Sequence, residues 1–338
     1  MTADKRPVLV APDKFKGTLA AHEVAAAVAD GLNRVGIESD ICRIADGGEG
    51  TLEIVVEALG GEVVECLASD ALGRVVTARF ALLNERIALV QSADAIGLGL
   101  IADGERDALS ASSRGVGELV AAAAATGVRE VLVAVGGTAS TDGGAGALEY
   151  LREKRLVGKR TALRRLPKLT VLCDVRAAWE QAPMVFAPQK GADQTQVETL
   201  VARLDLLAEE LPLDPRGKLM TGAGGGLAGG LWSACGAQLK GGAAFVLDQV
   251  DFPARMRASR AVITGEGSLD RQTLLGKAVG EVATRARQGG VPCHAIVGRL
   301  EMTEFDARIL DFESVTEAGS ANAIADAAER LVAVLAQY

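Results

Sequence analysis

SDICRIADGGEGTLEIVVEALG, residues 39–60, places a short apolar run, a loop of glycine and acid, and a helical repeat in that order. SDICRIA has the composition of a strand. Leu52, Val55, Val56 and Leu59 recur at i, i+3, i+4 and i+7, one face of a helix. Thr51 is placed to cap that helix and Gly60 to stop it. Between the two, Asp46 and Glu49 stand among three glycines. Glycine at a strand end lets backbone N–H groups approach a ligand closely. Carboxylates in such a loop suit a metal ion or hydroxyl groups better than a phosphate, which they repel. A tight turn with a solvated aspartate is the plainer reading of the loop by itself.

The same rhythm starts the chain. PVLVAPD (7–13) reads as a buried strand, followed by a helix from about Thr18 with Leu19, Val24, Val28, Leu32 and Val35 at helical spacing. Strand, loop, helix repeated predicts a parallel sheet. From about 62 to 101 the pattern changes. Strand-like runs are joined by turns at Leu72-Gly73 and Asn84-Glu85 with no helix between them, so an antiparallel or mixed sheet begins there. A helix at about 113–126 precedes VREVLVAVGG, and TVLCDV is a further strand ending at Asp174. From about 258 the α/β rhythm resumes with AVITGEG, a helix near 276–288, CHAIVG, a helix near 303–310, FESVTEAG and a last helix. The expected architecture is α/β with two domains. Residues 1–64 and 258–338 form a discontinuous Rossmann-like parallel-sheet domain, 65–257 an inserted α/β domain with a mixed sheet, and the cleft between them is the expected active site.

Composition narrows the function. Net charge is −8, so nucleic acid has no electrostatic support as a partner. Cys42, Cys66, Cys173, Cys235 and Cys293 lie far apart, and only His22 and His294 accompany them, which argues against structural zinc. They read as small buried residues of a reducing compartment. MTADKRPVLVAPD lacks the long apolar segment of a secretory signal, and no run of about 18 apolar residues predicts a membrane span. The expected setting is cytoplasmic.

Three loops share one design: ADGGEG (45–50), STDGG (140–144) and TGEGSLD (264–270). Each follows an apolar run, where ligands of parallel α/β sheets bind. Positive charge for an anionic ligand is available from Lys14, Lys16, Arg114, Lys190 and Lys277, each beside Gly, Ser or Pro in a loop or at a helix start. No GxxxxGK[ST] occurs. A GxGxxG match at Gly224, Gly226 and Gly229 lacks a convincing strand before it and fits either a helix start near a phosphate or close helix packing. No GxSxG elbow is present and histidines are scarce, so acid–base work falls to carboxylates or lysine.

APDKFKG (11–17), ADGGEGT (45–51), SSRGVGEL (112–119), VGGTASTDGGAG (135–146), CDV (173–175), APQKGAD (187–193), GAGGGLAGGL (222–231) and ITGEGSLDRQTLLGK (263–277) occur in one order. Together they resemble the bacterial glycerate kinase family, which phosphorylates D-glycerate at its 2-hydroxyl with ATP. The resemblance implies Mg²⁺ as cofactor and ATP as co-substrate. Its implied catalytic residues are Lys16, Asp46, Asp142, Asp174, Lys190 and Asp270, with Asp46, Asp142 and Asp270 as candidate magnesium ligands. Implied binding residues are Asp13, Lys14, Gly47, Gly48, Glu49, Ser113, Arg114, Gly136, Gly137, Thr138, Gln189, Gly265, Glu266, Gly267 and Lys277. D-Glycerate and ATP are the implied partners, without nucleic acid or membrane, and a homodimer stays open. The sequence departs from the family in the short basic segment after Leu151, in RAAWEQAPM (176–184), and at Gln91, where glutamate is usual.

Overall fold

The computed structural model describes residues 5–15, 17–158, 166–303 and 308–335. The chain opens with β1 (Val8–Pro12), α1 (Ala21–Arg34) and β2 (Ser39–Ile41). There follow α2 (Thr51–Leu59), β3 (Glu62–Ser69), β4 (Val75–Asn84), β5 (Ile87–Gln91), a short α3 (Ala93–Ile96), α4 (Arg114–Ala125) and β6 (Glu130–Ala134). Next come α5 (Ala145–Glu153), β7 (Lys168–Cys173), α6 (Ala182–Phe186), α7 (Gln194–Glu210), α8 (Leu227–Cys235) and β8 (Gln238–Gly241). The remainder is α9 (Gly242–Gln249), α10 (Phe252–Arg257), β9 (Ala261–Gly265), β10 (Ser268–Leu269), α11 (Ala278–Gly289), β11 (Cys293–Val297), β12 (Arg299–Leu300), β13 (Ser314–Glu317) and α12 (Ala321–Leu335). Most of the helix expected near 303–310 falls on residues 304–307, which lie outside the described residues.

Two compact units result: Met1–Ala45 with Val246–Tyr338, and Asp46–Phe245. The first holds a parallel sheet in the order β13-β11-β9-β1-β2. Strands buried on both faces need continuous apolar runs, and VLVA of β1 supplies one. Val24, Val28 and Leu32 of α1 and Ile324 and Ala328 of α12 cover one face, while Val279 and Ala283 of α11 cover the other. The strand order reverses direction between β1 and β9, so the carboxyl ends of those two strands form the unit's switch point. α1 begins at Ala21 rather than Thr18 because Thr18 and Leu19 first fold back on Phe15, with Leu19 N and Thr18 Oγ1 both donating to Phe15 O.

The second unit is built on a mixed sheet, β3-β4-β5-β6-β7-β8, antiparallel through β5 and parallel from there. The break in pattern after residue 62 is this antiparallel stretch. The units divide at 45/46 and 245/246, whereas the sequence pattern suggested 64/65 and 257/258. α2 accounts for the first difference: it packs on β4 and β5, and Gln91 Oε1 accepts a hydrogen bond from Leu52 N at its first turn. Gly50 precedes that helix in the left-handed region and Thr51 is its first helical residue, so Thr51 is not the cap. The core centres on Trp179, Phe80, Val90, Leu119 and Leu148. No helix among the described residues is long and apolar enough to cross a membrane.

Candidate active site

In the second unit, β5, β6, β7 and β8 end side by side; Ser92 follows β5, the quoted VGGTASTDGGAG stretch follows β6, Asp174 follows β7 and Gly242 follows β8. The Asp46–Gly50 loop lies across these ends. Gly136 N donates to Gly47 O at 3.1 Å. A Cβ on Gly136 would stand 2.7 Å from Gly48 Cα, and one on Gly242 would stand 2.6 Å from Gly47 Cα. Backbone touches backbone at these points, so the glycines of ADGGEG are first a packing requirement. Asp46 Oδ1 accepts Gly48 N at 3.0 Å, which fixes the turn. Asp174 is half-buried directly after β7, and its Cβ lies 3.1 Å from where a Cβ on Gly136 would be. Glu49 is exposed, as is Gln189, whose carbonyl accepts from Arg106.

Lys190 ends a short turn after Pro188 and is only 3% exposed. Its Nζ donates to Ser140 O at 2.5 Å, against Gly225. Burial pushes its pKa down to about 8, and the charges of Asp174 and Asp142 pull the other way. Asp142 is differently placed from the other aspartates. Oδ2 accepts from Ser113 N, Ser113 Oγ and Gly146 N at 2.8, 2.8 and 3.1 Å, and Oδ1 from Gly144 N at 3.0 Å. This carboxylate ties the start of α5 to the start of α4. Ser113 completes the tie by accepting Ala147 N. Arg114 forms two hydrogen bonds to Glu153, pairs with Glu118, and lies over the Tyr150 ring. Thr138 is buried and bridges Gly97, while Gly137 is exposed at the loop's crest.

The hydroxyls of Thr51, Ser92, Ser140 and Thr141 are buried without a hydrogen-bond partner among the described residues; Thr51 opens α2, Ser92 follows β5, and Ser140 and Thr141 lie in the loop after β6. The sequence reading left them out. A positional signal was there for two of them, Thr51 directly after Gly50 and Thr141 directly before Asp142; Ser92 and Ser140 stand beside neither glycine nor acid.

The glycine stretch 222–231 is a packing device. A Cβ on Gly143, Gly226 or Gly229 would meet the Trp179 ring at 2.6, 3.3 or 2.6 Å. Trp179 is fully buried and its Nε1 donates to Leu204 O at 3.1 Å. The GxGxxG match is therefore close helix packing around an indole.

In the first unit, the switch point sets Asp13 beside Gly265, with Asp13 N donating to Gly265 O at 2.8 Å. Asp13 Oδ1 accepts Lys14 N. A Cβ on Gly265 would lie 2.0 Å from Ile296 O, so the strand end admits only glycine. Glu266 is buried, accepts Thr273 Oγ1 at 2.5 Å, and faces Lys277 Nζ at 3.5 Å. Burial raises its pKa, with Lys277 opposing. Lys277 also stands 3.7 Å from Asp270 Oδ1. Gly267 follows in the same loop, half-buried. Lys16 lies outside the described residues. Among the described residues no cluster of three His, Cys, Asp or Glu side chains could by itself hold a metal ion.

Comparison with known proteins identifies the family. A profile described as the Glycerate kinase family matches residues 8–337. Glycerate kinase of Haemophilus influenzae is 35% identical over 323 residues, covering 86% of this chain and 85% of that one. Glycerate kinase of Bacillus subtilis is 34% identical (87% and 85% covered), and glycerate 2-kinase of Escherichia coli 31% identical (87% and 85%). The crystal structure of a protein described as glycerate kinase 2 from Salmonella typhimurium LT2 superposes with a TM-score of 0.73 at 30% identity, over 98% of both chains. The chain belongs to the glycerate kinase family.

Proposed function

We propose that the protein transfers the γ-phosphoryl group of ATP to the 2-hydroxyl of D-glycerate, giving 2-phospho-D-glycerate and ADP. The observation that carries this reading is the buried Lys190 ammonium, flanked by Asp174 and Asp142 at the carboxyl edge of the mixed sheet. Phosphoryl transfer is positioning plus charge stabilisation, and a desolvated cation beside a carboxylate serves both. In this reading Asp174 accepts the hydroxyl proton and Lys190 keeps Asp174 ionised and oriented. The Ser92, Ser140 and Thr141 hydroxyls donate to the oxygens of the acid. Lys14, Lys16 and Lys277 serve the phosphates.

Magnesium favours one or two carboxylates together with waters and phosphate oxygens, so the donor set suits an ion arriving on the nucleotide. Asp46 would hold it, and the ion would supply positive charge against the phosphate of the nucleotide. Asp142 is left out of the metal set because four donors already occupy its oxygens. A cytoplasmic setting accords with five cysteines that form no disulfide.

The test is ADP release with Mg-ATP and D-glycerate, with phosphorus NMR of the product. Turnover that depends on glycerate and yields the 2-phosphate is expected. The 3-phosphate would overturn the position, and turnover on another hydroxy acid alone would overturn the substrate.

A further inference from the structure

The buried Lys190 ammonium carries three N–H donors, and among the described residues its Nζ has one hydrogen-bond acceptor, Ser140 O. Asp142 does not take the others, because four donors from Ser113, Gly144 and Gly146 already fill its lone-pair positions. Two further donors adjoin the ammonium. The hydroxyls of Ser140 and Thr141 are fully buried and without a hydrogen-bond partner among the described residues. Gly225, at φ +67°, draws the group together: a Cβ there would stand 2.1 Å from Ser140 O, 2.8 Å from Thr141 Cα and 3.0 Å from Lys190 Nζ. A buried donor without an acceptor costs folding free energy, so a cluster of them points to an acceptor brought by a ligand.

We propose that Lys190, Ser140 and Thr141 form the carboxylate subsite for the acid substrate, and that anchoring the carboxylate there selects the 2-hydroxyl for phosphorylation. The proposal rests on the kinase reading of this site. The donors match the ligand in number and in charge. Two ammonium N–H groups and two hydroxyls can donate, and a carboxylate accepts at about four lone-pair positions. Bonds from an ammonium to a carboxylate are also among the stronger hydrogen bonds. A phosphate suits the place less well, because it brings more negative charge toward Asp174, whose own charge acts on the same ammonium. Asp174 is half-buried, so the acid enters from its side. The connectivity of the ligand then sets the position of reaction. In an α-hydroxy acid the hydroxyl stands on the carbon next to the carboxylate. With the carboxylate on Lys190, the 2-hydroxyl is brought toward Asp174, and the 3-hydroxyl stays one carbon farther away.

Thr141→Val and Ser140→Ala test this, with Thr170→Val as the control, since the Thr170 hydroxyl is equally buried but donates to Glu130. Losing a partnerless hydroxyl should leave the melting temperature of the unliganded protein unchanged or raise it, whereas the control should melt lower. D-Glycerate and glycolate, added with Mg-ADP, should raise the melting temperature of the wild type and the control, and glycerol should not. In both site variants that rise should shrink, with KM for D-glycerate up about 10-fold or more and kcat changed by less than about 3-fold. A wild-type KM in both variants, with the 2-phosphate still formed, overturns the subsite and leaves the kinase reading standing. So does a melting response to inorganic phosphate but to neither acid, or a site variant that melts lower without ligand, as the control does. Acids that bind through Ser140 and Thr141 but are never phosphorylated would support the subsite and refute the kinase reading.

Discussion

The ammonium of Lys190 and the main-chain carbonyl of Ser140 lie 2.5 Å apart, out of contact with solvent, with Asp174 and Asp142 close enough to act on the lysine's charge. A buried amine held this way has consequences for stability and for turnover, and they can be separated.

Unfolded, Lys190 titrates near its ordinary value of 10.5; folded, burial brings it to about 8. Between those values the unfolded chain binds more protons, so this residue makes stability rise with pH from 8 to 10.5 and leaves it flat below 8. Lys190→Met should remove that rise. Urea unfolding of both proteins at pH 7, 8, 9 and 10 gives the difference curve, and a flat difference would refute the assignment. The same variant should lose about 10²-fold or more in kcat.

Asp142 and Asp174 should fail in different ways. Asp142→Asn sets an amide against donors that now hold a carboxylate, so folding stability should fall by about 2 kcal/mol while turnover per folded molecule persists. Asp174→Asn should cost about 10²–10⁴-fold in kcat with little change in melting. Calorimetry alongside the coupled assay distinguishes them, and the reverse pattern would exchange their roles.

Trp179 fills the space that Gly143, Gly226 and Gly229 leave open. Trp179→Ala should cost about 3–5 kcal/mol, and Trp179→Phe clearly less, in denaturant titrations. A cost under 1 kcal/mol for the alanine variant would mean the glycine stretch has another purpose.

Gln91 donates from Nε2 to Asp94 Oδ1 at 2.5 Å while its Oε1 accepts Leu52 N. Gln91→Glu would bring a second carboxylate against Asp94. The variant should be close to wild type at pH 4.5, where it can be protonated, and less stable at pH 8 by about 1–3 kcal/mol. Melting curves at the two pH values read this directly.

Local patterns carried much of the fold. Helical spacing located α1, α2 and α4, and the helix-free stretch after residue 62 located the antiparallel part of the mixed sheet. Ends and partners were not legible, because they depend on residues distant in sequence. α2 joins the second unit through its packing on β4 and β5. Arg114 looked like a cation awaiting an anion, yet Glu153, 39 positions away, takes it. The glycines of ADGGEG suggested room for a ligand, whereas Gly136 and Gly242 come to occupy part of that room. Lys190 was visible as a charge beside glycine, but its burial depends on Ser140 and Gly225 closing over it.

The first sheet also imposes an order on synthesis. Its strand β1, buried along its length, sits between β2 and β9, and β9 is translated only after the intervening unit of about 200 residues. At 5–20 residues per second the ribosome needs about 10–40 s to deliver it. The second unit can assemble meanwhile, but VLVA has no β9 to pair with. VLVA therefore waits with its β9 side uncovered until that strand arrives, which makes this segment the natural client for a chaperone at the exit tunnel.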